Sequence, residues 1–430
     1  MKILEIILQF FSQPAILMGL ITLLGSLMLK KPAGAVIIST FKTILGLLLL
    51  NAGAGIIAAA IQPLNQLLEA GFHINGILTS GELFLAMAQR DFGQTIAIVF
   101  ALSILVNVLL ARITAWKYIF LSGHHILFMA TLTTAILTDT ALGTNPAMLI
   151  LLCAVISGFC MTVFPALTAP FVFQITGKKE FVTGHFGSSG YVVAGFLGQF
   201  IGSPKDSAEK IHLPEWMNFL SEPLVSMGVS TWLLYLTGGI ACVAAIGETS
   251  TAAIFNSSNS WVLSSFLSAL NFAAGTGVVL MGVNMFLAEV LPAFHWYAQK
   301  VIPNALPAVD CPAVFPYAPN AVMLGMLGAL VGQLGGMGLQ VILGGHIGAV
   351  ILPNMMLAYF LGGSSGVFGN ATGGWKGALV GGMVNGLMFT LLAGTAFAGI
   401  RHLGYGNTMF GDADFGMVGN VLAFIRKYAR

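Results

Sequence analysis

Two carboxylates within apolar sequence are the residues of this chain best suited to binding chemistry. Glu82 lies in INGILTSGELF (74–84) and Asp310 lies in LPAVDCPAVF (306–315). An ionised carboxylate is costly in hydrocarbon, so it faces protein or water and usually serves a ligand. The glycines and prolines around both acids break helices, which frees backbone N–H and C=O groups to bind substrate hydroxyls. The two acids predict a substrate site; the alternative is that both cap helices at the membrane surface.

Three histidines form the second group of candidates. His124 and His125 stand in LSGHH (121–125), and His185 stands in TGHFGSSGY (183–191). An imidazole can donate to or accept from a sugar hydroxyl, and it tolerates partial burial because it can be neutral. We therefore expect these side chains at the substrate site. A satisfied histidine between helices is the alternative for the first pair, and a place in a cytoplasmic loop is the alternative for His185.

The remaining motifs argue against chemistry performed by this chain alone. The segment GGSSGVFGNATGGW (362–375) predicts a re-entrant hairpin that lines a cavity, since it lacks the GxxxxGK[ST] pattern of a phosphate-binding loop. The sequence also lacks HExxH and any nucleophile context. The four cysteines have no metal-ligand spacing and are interpreted as small buried residues. We expect neither a cofactor nor a metal.

Composition predicts that membrane helices position these side chains. Of 430 residues, 57% are hydrophobic and only 7% are charged, whereas a soluble domain devotes about 25% of its residues to charge. The apolar stretches extend along the whole chain, which predicts an all-α polytopic membrane protein with about eleven spans of about 20 residues each. The net charge of +2 is uninformative about nucleic acid, and since no basic run supports such a partner we expect none.

Three pairs of similar segments predict an internal duplication into residues 1–215 and 216–430. If each half has an odd number of spans, the halves insert as inverted repeats. Chance similarity among glycine-rich apolar segments is the alternative. The pairs are LLLLNAGAGIIAAAIQPLNQLLEAGF (47–72) with VVLMGVNMFLAEVLPAFHWYAQKVI (278–302), LSGHH with LGGHI (343–347), and TGHFG (183–187) with DADFG (412–416).

Basic residues indicate the orientation of the chain. The hydrophilic connection 175–223 is rich in lysine and is predicted to be cytoplasmic. The basic residues Arg426, Lys427 and Arg430 predict a cytoplasmic C-terminus, which places the N-terminus outside.

The motifs INGI, LSGHH, VDCPAVFPYAPNAVMLGM and GGW, with LLGSLMLKKPAGAVIISTFKTILGLLLLNAGAGI, resemble the membrane component (enzyme IIC) of ascorbate-type phosphotransferase systems, which is related in fold to the galactitol type. The resemblance implies two inverted halves that build a substrate-holding core domain and a V-shaped domain that forms a homodimer. It implies a multi-pass protein of the bacterial inner membrane that takes up its substrate by alternating access. The implied partners are separate IIA and IIB proteins, with phosphate passing from IIA to a IIB cysteine and then to the substrate.

The resemblance also assigns substrate contacts. His124, His185 and Asp310 match the family pattern, whereas ascorbate members carry Thr-Tyr and two glutamines where this chain has other residues. The predicted substrate-binding residues are Gly81, Glu82, His124, His125, Phe128, His185, Phe186 and Asp310.

The substrate and the coupling mechanism are open to alternatives. An ionised Glu82 would repel anionic ascorbate, so L-ascorbate is the first candidate and a neutral polyol or other sugar is the next. A transporter coupled to protons or sodium, with Glu82 and Asp310 as ion sites, is the competing class. A channel is disfavoured because the sequence has no repeated filter motif.

Overall fold

The computed structural model describes residues 13–211, 214, 219–220, 222–344, 346–405 and 407–428. The helices of this part are α1 (Pro14–Met28), α2 (Ala33–Phe72), α3 (Gly81–Ile113), α4 (Gly123–Thr138), α5 (Pro146–Thr176), α6 (Ser188–Ile201), α7 (Pro223–Ile246), α8 (Glu248–Ala253), α9 (Trp261–Val301), α10 (Pro319–Ile342), α11 (Met355–Leu357), α12 (Gly363–Ile400) and α13 (Ala413–Tyr428). The strands are β1 (Gly76–Thr79), β2 (Tyr118–Phe120), β3 (Val182–Thr183), β4 (Leu306–Val309), β5 (Val350–Leu352) and β6 (Thr408–Met409).

Local sequence signals set the ends of these helices. The Ser80 hydroxyl caps α3 by accepting the Leu83 N–H at 3.2 Å. Asn145 caps α5 in the same way, with Pro146 as the first helical residue. Gly177 then ends α5 with a φ of 68°, a left-handed conformation that glycine adopts without strain.

The helices confirm a multi-pass membrane protein. Seven helical segments of the described chain are long and apolar enough to cross a bilayer: Ala33–Phe72, Gly81–Ile113, Pro146–Thr176, Pro223–Ile246, Trp261–Pro292, Pro319–Ile342 and Met355–Leu403. The count of eleven spans, the inverted repeats and a V-shaped dimerisation domain remain predictions.

The chain is mostly helical, in agreement with the all-α prediction, and six short strands join the helices. They form two parallel sheets, with strand orders β5-β1-β6 and β2-β4-β3. In the first sheet Gly76 pairs with Val350 and Leu78 pairs with Thr408. Each central strand comes from one half of the chain, and its two neighbours come from the other half. The segments before Glu82 and Asp310, where glycines and prolines predict broken helices, are therefore strands. Their backbone N–H and C=O groups are paired with strands from the other half of the chain.

The glycine-rich segment 362–375 belongs to a helical hairpin. A π-helical turn (Ala358–Gly362) joins α11 to α12, and α12 breaks at Gly374, where φ is 63° and ψ is −154°. The two legs, 355–373 and 375–400, lie side by side because the Asn385 amide donates to the Ser365 hydroxyl at 2.8 Å. The segment predicted as a hairpin is thus most of the first leg and the tip of a longer hairpin of two antiparallel helices, with Gly374 at the tip.

The second leg of the hairpin separates two segments that were expected on one side of the membrane. Beside the tip, the Trp375 N–H donates to the Asp206 carbonyl at 2.9 Å. At the other end of the leg, Arg426 donates to the Gly399 carbonyl at 2.9 Å. A helix from Trp375 to Gly399 rises about 36 Å at roughly 1.5 Å per residue, which exceeds the bilayer core of about 30 Å.

The connection 175–223 and the C-terminal residues Arg426 and Lys427 therefore lie at opposite ends of the helix bundle, so the prediction that both are cytoplasmic is wrong. The reason is that β6 leads the chain into the middle of the bundle and α13 then turns back beside the second leg. Arg430 lies outside the described residues. We call the end that holds Gly374 and Asp206 the tip end, and the end that holds Gly399 and Arg426 the C-terminal end.

Candidate functional site

A cavity of about 240 Å³ lies where both sheets end. Parallel strands have their carboxyl ends at the same edge of a sheet, so the residues that follow the strands meet there. The polar lining residues are Glu82, His124, His125, His185, Asn284, Asp310 and Asp412, and the apolar ones are Phe128, Leu280, Val283, Met356, Leu357, Phe360 and Leu361. All six strands lead into this lining.

Asp310 lies between two of the histidines. One carboxylate oxygen is 3.7 Å from Nε2 of His124, and the other is 3.7 Å from Nε2 of His185. The Cys311 N–H donates to Asp310 at 2.7 Å and holds the carboxylate in place. Both imidazole separations exceed a direct hydrogen bond, and 41% of the Asp310 side chain is exposed. A ligand hydroxyl can therefore contact the carboxylate and an imidazole together.

Backbone hydrogen bonds set the tautomers of the two buried histidines. Nδ1 of His185 accepts the Gly187 N–H at 3.1 Å and lies 2.9 Å from the Tyr191 hydroxyl. Nδ1 of His125 accepts the Phe186 N–H at 3.4 Å. Because a backbone N–H can only donate, each neutral ring carries its proton on Nε2. His185 thus presents an N–H donor on the side of Asp310.

Glu82 and Asp412 add two more carboxylates to the same cavity. Glu82 is buried, and the Ser80 hydroxyl donates to it at 3.0 Å. Asp412 lies with its Oδ1 3.5 Å from Nδ1 of His185. The structure therefore brings Glu82 into one cavity with Asp310.

Two of the predicted site residues do not line the cavity. Gly81 packs against Phe128 and Phe410, and a Cβ at this glycine would lie 2.9 Å from both rings. Phe186 is fully buried and stacks on Phe120, with ring centroids 5.0 Å apart. Its ring also lies 5.8 Å from that of His125, so Phe186 packs against a lining residue without lining the cavity itself.

The sequence interpretation missed Asp412 and the lining supplied by α9. The alignment of DADFG with TGHFG matches His185 to Asp414 and not to Asp412. The Asp414 carboxylate is fully buried outside the cavity lining, where it accepts the Ser189 N–H at 3.0 Å. Asn284 offered no signal, since a single amide in an apolar helix is a weak pattern. His346, matched to His124 by sequence, precedes β5 whereas His124 follows β2, so that correspondence is wrong.

The polar lining is rich in carboxylates and imidazoles. It holds three carboxylates, three imidazoles and one amide, and no lining residue described here is Lys or Arg.

His125, His185 and Asp412 have ligand atoms close enough together to hold a metal ion. However, Nδ1 of each of these histidines already accepts a backbone N–H, so only Nε2 could bind a metal ion. Because Nε2 carries the ring proton, that proton would have to leave Nε2 before the metal could bind.

A second cavity, of about 580 Å³, continues from the first. It shares His124, Asn284 and Asp310 with the first cavity and extends along α9 past Leu287 and Leu291. We call it the vestibule. A larger cavity of about 1080 Å³, near Arg401 at the C-terminal end, shares no lining residue with the first cavity.

Comparison with known proteins fits this arrangement. Residues 9–414 match the family described as PTS system sugar-specific permease component. The chain is also 26% identical over 420 residues to the "Ascorbate-specific PTS system EIIC component" of Mycoplasma pneumoniae, which covers 86% of this chain. The alignment spans 63% of that relative's length. With a match over nearly its whole length and seven membrane-capable helices, the chain belongs to the family of sugar-specific permease components of the phosphotransferase system.

Proposed function

We propose that this protein is the substrate-translocating subunit of a phosphoenolpyruvate-dependent phosphotransferase system. It binds its substrate in the 240 Å³ cavity, moves it by alternating access and presents it to a phosphorylated IIB partner. The observation that carries the proposal is Asp310 between His124 and His185, where acceptor and donor groups face one small cavity. Such paired groups suit the hydroxyls of a sugar-like ligand.

The proposed reaction leaves the covalent step to the partner. The S–P bond of the IIB phosphocysteine breaks as an O–P bond forms to a substrate hydroxyl, and the proton that the hydroxyl loses ends on the IIB cysteine thiolate that leaves. The four cysteines of this chain are free and buried. Because a reactive cysteine has to be accessible, none of the four is suited to carry phosphate. The role of this chain is to select, orient and release the substrate.

We infer that the chain consists of two inverted repeats with a core and a V-shaped scaffold. Helices α2 and α9, from different halves, cross closely: a Cβ at Gly46 would lie 2.6 Å from the Gly282 carbonyl oxygen, and one at Gly53 would lie 2.7 Å from that of Gly275. The order of these contacts makes the two helices antiparallel, as an inverted pair requires. The interleaved sheets support the same symmetry. A homodimer formed through this scaffold completes the proposal.

L-ascorbate is the first substrate candidate, on the residues that match the ascorbate pattern and on the name of the Mycoplasma pneumoniae relative. A neutral polyol is the second candidate, because Glu82, Asp310 and Asp412 line the cavity and none of its described lining residues is Lys or Arg. Like charges oppose binding of an anion in a low-dielectric site. An ion-coupled secondary transporter is disfavoured by the family match.

Reconstitution in liposomes tests the proposal. With purified IIA, IIB and phosphoenolpyruvate, labelled ascorbate or galactitol should accumulate inside as a phosphate ester, even when proton and sodium gradients are collapsed. Omission of IIB should abolish accumulation. Uptake of unmodified substrate, driven by an ion gradient without IIB, would establish the secondary transporter instead.

A further inference from the structure

We propose that five lysines around the hairpin tip form the docking surface for the phosphorylated IIB protein, and that the tip end faces the cytoplasm. The proposal rests on the proposed function and adds the surface and the orientation. The tip lysines are Lys178, Lys179, Lys205, Lys210 and Lys376, all exposed.

Contacts among three segments bring the tip lysines together. The Lys210 ammonium donates to the Lys205 carbonyl at 2.7 Å. The next residue, Asp206, accepts the Trp375 N–H at 2.9 Å, which places Lys376 beside them. The end of α5 joins the group, since the Gln174 amide donates to the Ala371 carbonyl at 3.0 Å about one turn before Lys178.

The acids in these segments leave a positive excess. Glu180 pairs with Lys178 at 3.4 Å. The Glu209 carboxylate accepts the Ala321 N–H at 3.1 Å at the start of α10. Asp206 is exposed. In the described ranges 178–180 and 205–210, together with Lys376, five ammonium groups thus face three carboxylates, two of which are already engaged.

Among the described residues, the C-terminal end holds the basic residues Arg401, Arg426 and Lys427, fewer than the five lysines of the tip end, and this difference gives the orientation. Asp139 accepts from Arg426 at 2.6 Å and lies 2.8 Å from Nε2 of His402, so its carboxylate offsets the arginine. Cytoplasmic segments carry an excess of Lys and Arg. The tip end, with five lysines in three short segments, therefore fits the cytoplasmic side.

The vestibule connects the first cavity with the tip end of the bundle. Strands β2, β4 and β3 begin at the tip end, since β3 follows α5 directly and pairs with β4. The vestibule runs from Asp310 along α9 past Leu291, toward the end of that helix, where Ile302 packs in one cluster with Ile119 of β2. A partner docked on the tip lysines is thus on the side toward which the vestibule extends. Its negatively charged phosphocysteine would be attracted by the lysines.

Charge reversal tests the surface. We expect Lys205→Glu/Lys210→Glu/Lys376→Glu and Lys178→Glu/Lys179→Glu to lower kcat/KM for phosphorylated IIB by roughly tenfold or more, because steering charges change association rates by that order. Substrate binding by calorimetry should stay unchanged. Arg401→Glu, an exposed residue at the C-terminal end, is the matched control and should behave as wild type. Salt should slow the wild type more than the reversed variants.

The outcomes separate the two proposals. If wild-type protein transfers no phosphate from IIB, the proposed function fails. If wild type transfers phosphate and the lysine variants match it, or Arg401→Glu is equally impaired, the docking surface fails.

Cysteine labelling tests the orientation independently, since the native cysteines are buried. A membrane-impermeant maleimide should label Lys376→Cys only from the cytoplasmic side and Arg401→Cys only from outside; the reverse pattern overturns the assignment.

Discussion

Nδ1 of His185 lies 3.5 Å from Oδ1 of Asp412, although the two residues come from different halves of the chain. The histidine follows β3 and the aspartate follows β6, and the two strands belong to different sheets. The cavity thus forms only when both sheets are complete. Its donors and acceptors are held by backbone that neither half supplies alone.

Asp310→Asn should weaken substrate binding by about 10- to 100-fold, since a hydrogen bond to a charged group contributes about 1.5–3 kcal/mol. Calorimetry on purified protein measures the change, and size-exclusion chromatography checks that folding and assembly are intact. Glu248→Gln, an exposed acid remote in sequence from the site, is the control. Wild-type affinity in the Asn variant would remove Asp310 from the site.

Glu82→Gln should strengthen binding of ascorbate and leave galactitol less affected. Removing a like charge within several ångströms of an anion is worth on the order of 1 kcal/mol or more. The substitution keeps an acceptor for the Ser80 hydroxyl, which donates to Glu82 at 3.0 Å. Calorimetry with both ligands measures the difference. Equal changes for both ligands would show that charge does not determine selectivity at this residue.

His125 and His185 should both be neutral with the proton on Nε2 in the ligand-free protein near pH 7. The reason is that each Nδ1 accepts a backbone N–H. Nitrogen NMR of histidine-labelled protein distinguishes the tautomers by the shifts of the two ring nitrogens. Exposed His73 serves as the internal reference. A protonated Nδ1 on either buried ring would contradict the hydrogen-bonding scheme.

Gly325→Ala should destabilise the protein by about 1–3 kcal/mol, since an added methyl in a packed contact forces a backbone shift. A Cβ there would clash with the Gly362 carbonyl oxygen of the hairpin. Gly335→Ala, on the same helix with open space around it, should be neutral or stabilising. Thermal unfolding in detergent compares the two variants. Equal melting temperatures would show that α10 does not pack closely on the hairpin.

Sequence reasoning predicted most of the polar lining of the candidate site because polar residues are rare in this chain. Glu82, His124, His185 and Asp310 stand out against apolar neighbours, and all four line one cavity. Asp412 was missed because DADFG offers two aspartates, and only the three-dimensional path after β6 decides which one faces the cavity.

The strands and the orientation of the C-terminus depend on long-range contacts. Two to four residues are too short for a period-2 pattern, and their pairing partners lie far away in sequence, as with Gly76 and Val350. Counting basic residues placed Arg426 in the cytoplasm because the count cannot detect a helix that enters the bundle and turns back.

The interleaved sheets have a consequence for how the protein is made. Strand β1 is synthesised early, but its partners β5 and β6 leave the ribosome only after most of the chain. At about 5–20 residues per second, β1 waits more than about ten seconds for Val350. During that interval its backbone N–H and C=O groups need another partner, because lipid offers none. Membrane insertion therefore has to shelter an unfinished first half until translation is nearly complete.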